Sequence, residues 1–142
     1  MTAQGRILAI DWGRRRIGLA LSDELGLSSR GLATLERTYR EADLASIERI
    51  VRENDVQRIV IGRPLHLDGR RSAASREAER FGKTLGKRCQ VELILWDERL
   101  TSVEAQARLR AERPGAKIDK AAVDQMSARV ILESYLHSLA ES

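Results

Sequence analysis

RILAIDWGRRRIGLALSD, Arg6 to Asp23, is the stretch on which the fold turns. Arg6 to Asp11 is a short, nearly continuous apolar run, the pattern of a buried central strand. Gly13 and three arginines then make a turn. Ile17 to Ser22 is apolar again, so the two runs read as a hairpin. A weaker third strand is expected within Leu27 to Leu35. In an alternating strand Ile7, Ala9 and Asp11 share a face, which leaves a carboxylate at the end of a buried strand. That is costly without a partner. A metal ion would supply one, and so would hydrogen bonding to the turn at Gly13.

Outward from the hairpin, the periodicity changes. From Glu41 to Asn54, Leu44, Ile47, Ile50 and Val51 recur at helical spacing. Arg58 to Gly62 reads as another buried strand, ended by Pro64, which cannot donate to a ladder. After a turn over Leu65 to Gly69, Ser72 to Arg88 places Ala74, Ala78, Phe81 and Leu85 on one helix face. Val91 to Trp96 is the last strand. Thr101 and Glu104 have capping-box spacing for a helix running to about Glu112. Pro114 and Gly115 break it, and a final helix is expected from about Ala121 to Leu139. The order is β-β-β-α-β-α-β-α-α, an α/β protein with a mixed five-stranded sheet and helices packed on it. A Rossmann sheet is set aside, because no G-x-G-x-x-G follows the first strand and no helix separates the early strands.

A length of 142 residues suits one domain spanning 1-142. With 32% charged residues and 4% aromatics, the core is expected to be aliphatic. The single cysteine, Cys89, excludes an internal disulfide and a zinc site made of thiolates, which fits a reducing cytosol. The N-terminus lacks a signal core, and the first apolar run is too short to span a membrane. The expectation is a cytoplasmic protein with no membrane contact. Lys and Arg outnumber Asp and Glu by 25 to 21, a net +4 with a sequence pI near 9.7. The excess concentrates in Arg14, Arg15 and Arg16, and in Arg70 and Arg71, both beside glycine. Arginine in turns suits bidentate binding of phosphate, although a charge run alone is more often a solvated face.

Two further places carry acids of interest. Asp97 and Glu98 stand at the C-terminal end of the last strand, where α/β proteins tend to place chemistry. Either could cap the next helix, but Thr101 is the better cap, which leaves a carboxylate without a structural task. Asp124 begins an apolar stripe through Ala128, Ile131 and Tyr135, so it is expected to face inward, where a lone carboxylate is unfavourable. Asp119 falls on a different face and reads as a loop residue. Asp11, Glu98 and Asp124 together would suit Mg²⁺ or Mn²⁺, which take hard oxygen ligands. Such sites hydrolyse phosphodiesters.

Four segments then resemble one family, the bacterial YqgF/RuvX proteins. They are AIDWGRRRIGLALSD (Ala9 to Asp23), VIGRPLHLDG (Val60 to Gly69), DERLTSVEA (Asp97 to Ala105) and DQMSARVILESYL (Asp124 to Leu136). The resemblance implies an RNase H-like fold with catalytic acids at Asp11, Glu98 and Asp124. It implies a nuclease acting on nucleic acid, either pre-16S rRNA at its 5′ end or branched DNA as a Holliday junction resolvase. Cutting a junction symmetrically would call for a homodimer. Departures are small: Trp12 stands where Phe or Tyr is usual, Arg63 and His66 vary the G-x-P-x-x-x-D-G loop, and Ser102 replaces a common Thr. Arg63 and Arg99 join Arg14, Arg15, Arg16, Arg70 and Arg71 as candidate phosphate contacts.

Two rival classes remain open on sequence. Asp11-Trp12-Gly13 before a hairpin also looks like the first phosphate loop of actin-like and sugar-kinase ATPases, but those clasp nucleotide between two such domains. A non-catalytic nucleic-acid-binding module could keep the same fold, although all three acids are retained. His66, His137 and Cys89 read as structural or surface residues, and Trp12 and Trp96 as core.

Overall fold

The structure is a computed structural model that describes residues 5–64, 70, 72–98, 101–115 and 117–141, without the side chains of Pro64, Glu98, Thr101 and Ser102. β1 (Arg6–Trp12) pairs antiparallel with β2 (Arg16–Ser22), setting Asp11 opposite Gly18. Two short strands follow, β3 (Ser29–Gly31) and β4 (Leu35–Glu36), and both pair with β2. The third strand expected as one piece is therefore two, and the sheet has six strands rather than five. The cause is tertiary. The backbone between β3 and β4 is engaged by the last helix, with the Gln125 amide donating to the Leu32 carbonyl at 2.7 Å and the Thr34 hydroxyl donating to the Ala121 carbonyl at 2.9 Å.

Helix α1 (Arg40–Glu53) leads to β5 (Val56–Pro64), which lies parallel to β1 on its other side. Helix α2 (Ala73–Cys89) follows, capped by Ser72 and Ser75 in a reciprocal box. Then β6 (Glu92–Glu98) adds parallel to β5. The chain ends with α3 (Thr101–Glu112) and α4 (Lys120–Ala140). Across the sheet the order is β3-β2-β1-β5-β6. Among the described residues no helix is long and apolar enough to cross a membrane.

Strand alternation sorts the core into two layers. Leu8, Ile10, Trp12, Ile59 and Ile61 pack against Leu44 and Ile47 of α1 and Phe81 and Leu85 of α2. Ile7, Ala9, Ala20 and Val60 pack against Ala128, Ile131, Leu132 and Tyr135 of α4. Helix α3 rests on α4 through Ala105, Leu109, Met126 and Val130. Asp11, in step with Ile7 and Ala9, thus lies on the α4 side at the C-terminal end of β1. Asp119 lies just outside α4, as expected of a loop residue, and its carboxylate accepts from Ala122 N at 2.7 Å and caps the helix.

Candidate active site

Gly18 is what allows the site to form. A Cβ there would lie 2.0 Å from the Asp124 carbonyl oxygen and 3.3 Å from the Asp11 Cβ. Only a residue without a side chain lets the first turns of α4 settle onto β2 at the point where β2 faces Asp11 across the ladder. Asp11 and Asp124 are thereby brought together on one face of the sheet. Glu98 ends β6 opposite Pro64, two positions past Trp96, whose row in the sheet runs through Gly62 to Asp11. Its register puts it at the same end. Its side chain lies outside the described residues.

Asp124 is half-buried and paired. Arg16, the first residue of β2, donates from Nε to Asp124 Oδ2 at 2.8 Å, with 21% and 25% of the two side chains exposed. That hydrogen bond, strengthened by the opposite charge, raises the Arg16 pKa above its ordinary value. The three consecutive arginines therefore separate. Arg16 belongs to the strand and to Asp124, not to the turn, while Arg14 and Arg15 are exposed in the turn itself.

The turn is held from beneath by Arg37, which sequence reading did not single out. Its guanidinium donates to the carbonyls of Gly13 at 3.3 Å and Arg14 at 3.2 Å, and its Cζ stands 4.2 Å from the Trp12 ring centroid. Gly13 is needed here too, since a Cβ would fall 2.5 Å from the Arg16 carbonyl oxygen. The one signal in the sequence was Trp12 before a glycine, a flat apolar surface on which a cation can rest.

Arg63 is placed elsewhere. It sits in step with Ile59 and Ile61, on the α1/α2 side of the sheet, and binds Glu79 at 3.1 Å and Asp97 more closely still. Burial opposes its charge, and Asp97 and Glu79 outweigh that effect, leaving its pKa above the ordinary value. Asp97 points away from Asp11 with it and is separated from the acids. Arg70 is exposed; Arg71, Arg99 and His66 lie outside the described residues. Trp12 is buried against Phe81 and Trp96 meets Tyr135 edge-on, so both are core residues. Burial pushes the Cys89 thiol up, and His137 pairs with Glu141 on the surface.

In chemical terms the site end offers hard carboxylate oxygens on one face, with exposed guanidinium groups beside them. Among the described residues no three acid, His or Cys side chains converge, and Glu98, the third acid, has no described side chain. The donors that are described suit a divalent cation of the magnesium class better than a thiophilic metal.

Comparison with known proteins points the same way. The family described as RuvX, Holliday junction resolvase, matches residues 5–138. A relative from Koribacter versatilis is 44% identical over 93% of this chain and 86% of its own length. One from Shouchella clausii is 38% identical over 92% and 94%. Both are named for an inferred pre-16S rRNA nuclease activity, that is, as hydrolases of ester bonds. Thermus thermophilus RuvC, solved with a Holliday junction substrate, superposes with a TM-score of 0.62 at 11% identity, covering 95% of each chain. The fowlpox virus resolvase, solved with Holliday junction DNA, gives 0.59 at 14%, covering 94% and 98%. At those identities the structures establish the fold, which is RNase H-like. Matched to that family over residues 5–138, and 44% and 38% identical to these relatives over more than nine-tenths of its length, this protein belongs to the RuvX family.

Proposed function

We propose that the chain is a divalent-metal-dependent nuclease that hydrolyses phosphodiester bonds of pre-16S rRNA in the cytoplasm, with Asp11, Glu98 and Asp124 as its acids and Mg²⁺ or Mn²⁺ as its cofactor. The observation that carries this is the apposition of Asp11 and Asp124 across Gly18. Two carboxylates on different elements are held at one sheet end by a contact that a single methyl group would prevent. The Asp124 carboxylate also holds a cationic partner, the Arg16 guanidinium, so the position suits positive charge.

Asp11 and Glu98 stand on strand ends, which fix their backbones, and Asp124 comes from the first turns of a helix clamped onto the same sheet. Bound there, a divalent cation would activate water as nucleophile and stabilise charge on the leaving oxygen. Arg14 and Arg15, exposed on a turn that Arg37 rigidifies, reach outward to the backbone phosphates on either side of the reacting one.

The family's description favours a second substrate, a branched DNA junction, whose symmetric cutting would require a homodimer. Cleavage in Mg²⁺ of an RNA spanning the 5′ end of 16S rRNA, beside a four-way DNA junction, separates the two. The RNA is expected to be cut, and EDTA to abolish cutting. Paired symmetric nicks in the junction, with a dimeric mass in solution, would transfer the assignment to a resolvase. Full activity in EDTA would overturn the metal.

A further inference from the structure

On the far side of the sheet from the acids, α2 carries a second basic feature. Arg76, Arg80, Lys83 and Lys87 recur at i, i+4, i+7 and i+11, which puts all four on one helix face, and all are exposed. Of the other charges of α2, Glu79 holds Arg63 and Arg88 is bound by Glu41 and Glu48 of α1, which leaves Glu77 beside the stripe. Among the described residues none of the four cations of the stripe forms an ion pair. Like charges at this spacing destabilise a helix, so the stripe works against folding.

The stripe also opens onto a built cavity. Trp12, Arg37, Arg40, Glu77 and Arg80 line an open hollow of about 320 Å³ at the end of β1, one residue beyond Asp11 but on the opposite face. Two of its cations are held in place: Arg37 by the carbonyls of Gly13 and Arg14, and Arg40 by the Thr84 hydroxyl at 3.0 Å. Three guanidinium groups there meet one lining carboxylate, Glu77, and Arg37 is also paired with the buried Asp43 at 3.5 Å, which leaves a net positive charge. The Arg14–Arg15 turn adjoins this cavity through Arg37, which donates to the Gly13 and Arg14 carbonyls, and it follows Asp11 at the end of β1. From Arg76 to Lys87 the helix rises about 16 Å, roughly the rise of five nucleotides along one strand of a duplex.

We propose that the Arg37–Arg40–Arg80 cavity and the outer face of α2 form a track for the nucleic-acid backbone, carrying the substrate strand across the β1–β2 turn and away from the acids. This rests on the nuclease reading and adds where the rest of the substrate lies. Aligned cations that outnumber the carboxylates beside them suit a polyanion of regular phosphate spacing, and they contact phosphates without reading sequence.

The test is binding, not cleavage. In an Asp11→Asn background, a labelled single-stranded RNA is titrated against the parent and against a variant with Arg76, Arg80, Lys83 and Lys87 changed to Ala. The variant should bind more weakly at low salt, with a log–log salt slope shallower by about 0.7 for each lost contact. Its thermal melt should be unchanged or higher, since repulsion is removed. Chloride and inorganic phosphate at equal ionic strength should compete alike. An unchanged affinity and slope would overturn the track while leaving the nuclease reading intact; a parent that binds no RNA would overturn both. Displacement of RNA by inorganic phosphate beyond its ionic-strength effect would make the face a site for free phosphate and overturn the track.

Discussion

Arg16 Nε donates to Asp124 Oδ2 at 2.8 Å, tying the first residue of β2 to the start of α4. A partly exposed pair of this kind contributes about 0.2–1 kcal/mol. It also changes what removing either charge does. With Arg16 beside it, the carboxylate is already compensated.

Arg16→Gln is expected to cost less than about 1 kcal/mol without metal. It should enlarge the rise in melting temperature caused by Mn²⁺, because the cation no longer displaces a guanidinium and binding to the folded state stabilises it by mass action. Melts with and without Mn²⁺ check this. An identical metal-induced rise in both proteins would show that Arg16 and metal do not compete.

Gly18→Ala should damage the site more than the fold. The new methyl would meet the Asp124 carbonyl at 2.0 Å, so α4 must shift outward from Asp11. Overpacking of this sort costs roughly 1–3 kcal/mol. Activity per folded molecule should fall well beyond that loss, measured by cleavage at matched folded fraction. Retained activity would mean that Asp11 and Asp124 need not be held together.

Arg14 and Arg15, free of the sheet, are expected to serve binding alone. Changing both to Ala should leave the melt unaltered and make the salt slope on single-stranded RNA shallower by up to about 0.7 per lost contact. A slope equal to that of the parent would make them solvated surface.

Glu79→Gln probes a pair that belongs to the fold. Glu79 is 5% exposed and binds Arg63, which also holds Asp97. Leaving that guanidinium half-compensated should cost roughly 1–3 kcal/mol, read by denaturant unfolding. Activity per folded molecule should stay normal. A selective loss of activity would return Arg63 to the substrate-binding set.

Much of this architecture was legible in the residues. Uninterrupted apolar runs marked β1, β2 and β5, and the stripe from Asp124 through Tyr135 located α4 against the sheet, because burial on a regular element leaves a period. Gly18, a glycine inside a strand, carried a sign of close backbone approach that sequence reading did not take up. What could not be read was tertiary. Three consecutive arginines are alike until β2 begins at the third. Arg63 looked like a phosphate ligand because its partners, Glu79 and Asp97, meet it only through the packing of α2 and the register of β5 with β6. The division of the third strand into β3 and β4 depends on hydrogen bonds with Gln125 and Ala121, more than eighty residues away.

The central claim is that Asp124 takes part in hydrolysis and does not merely anchor Arg16. The most direct measurement is the cleavage rate of Asp124→Asn in Mg²⁺, per folded molecule, against the parent on the same RNA. Loss of the ion pair alone would lower stability by about 0.2–1 kcal/mol and leave each folded molecule active. Loss of a metal ligand is predicted to lower the rate by orders of magnitude in protein that remains folded. A variant that melts earlier yet cleaves at the parent rate would contradict the account and leave Asp124 as a structural partner of Arg16.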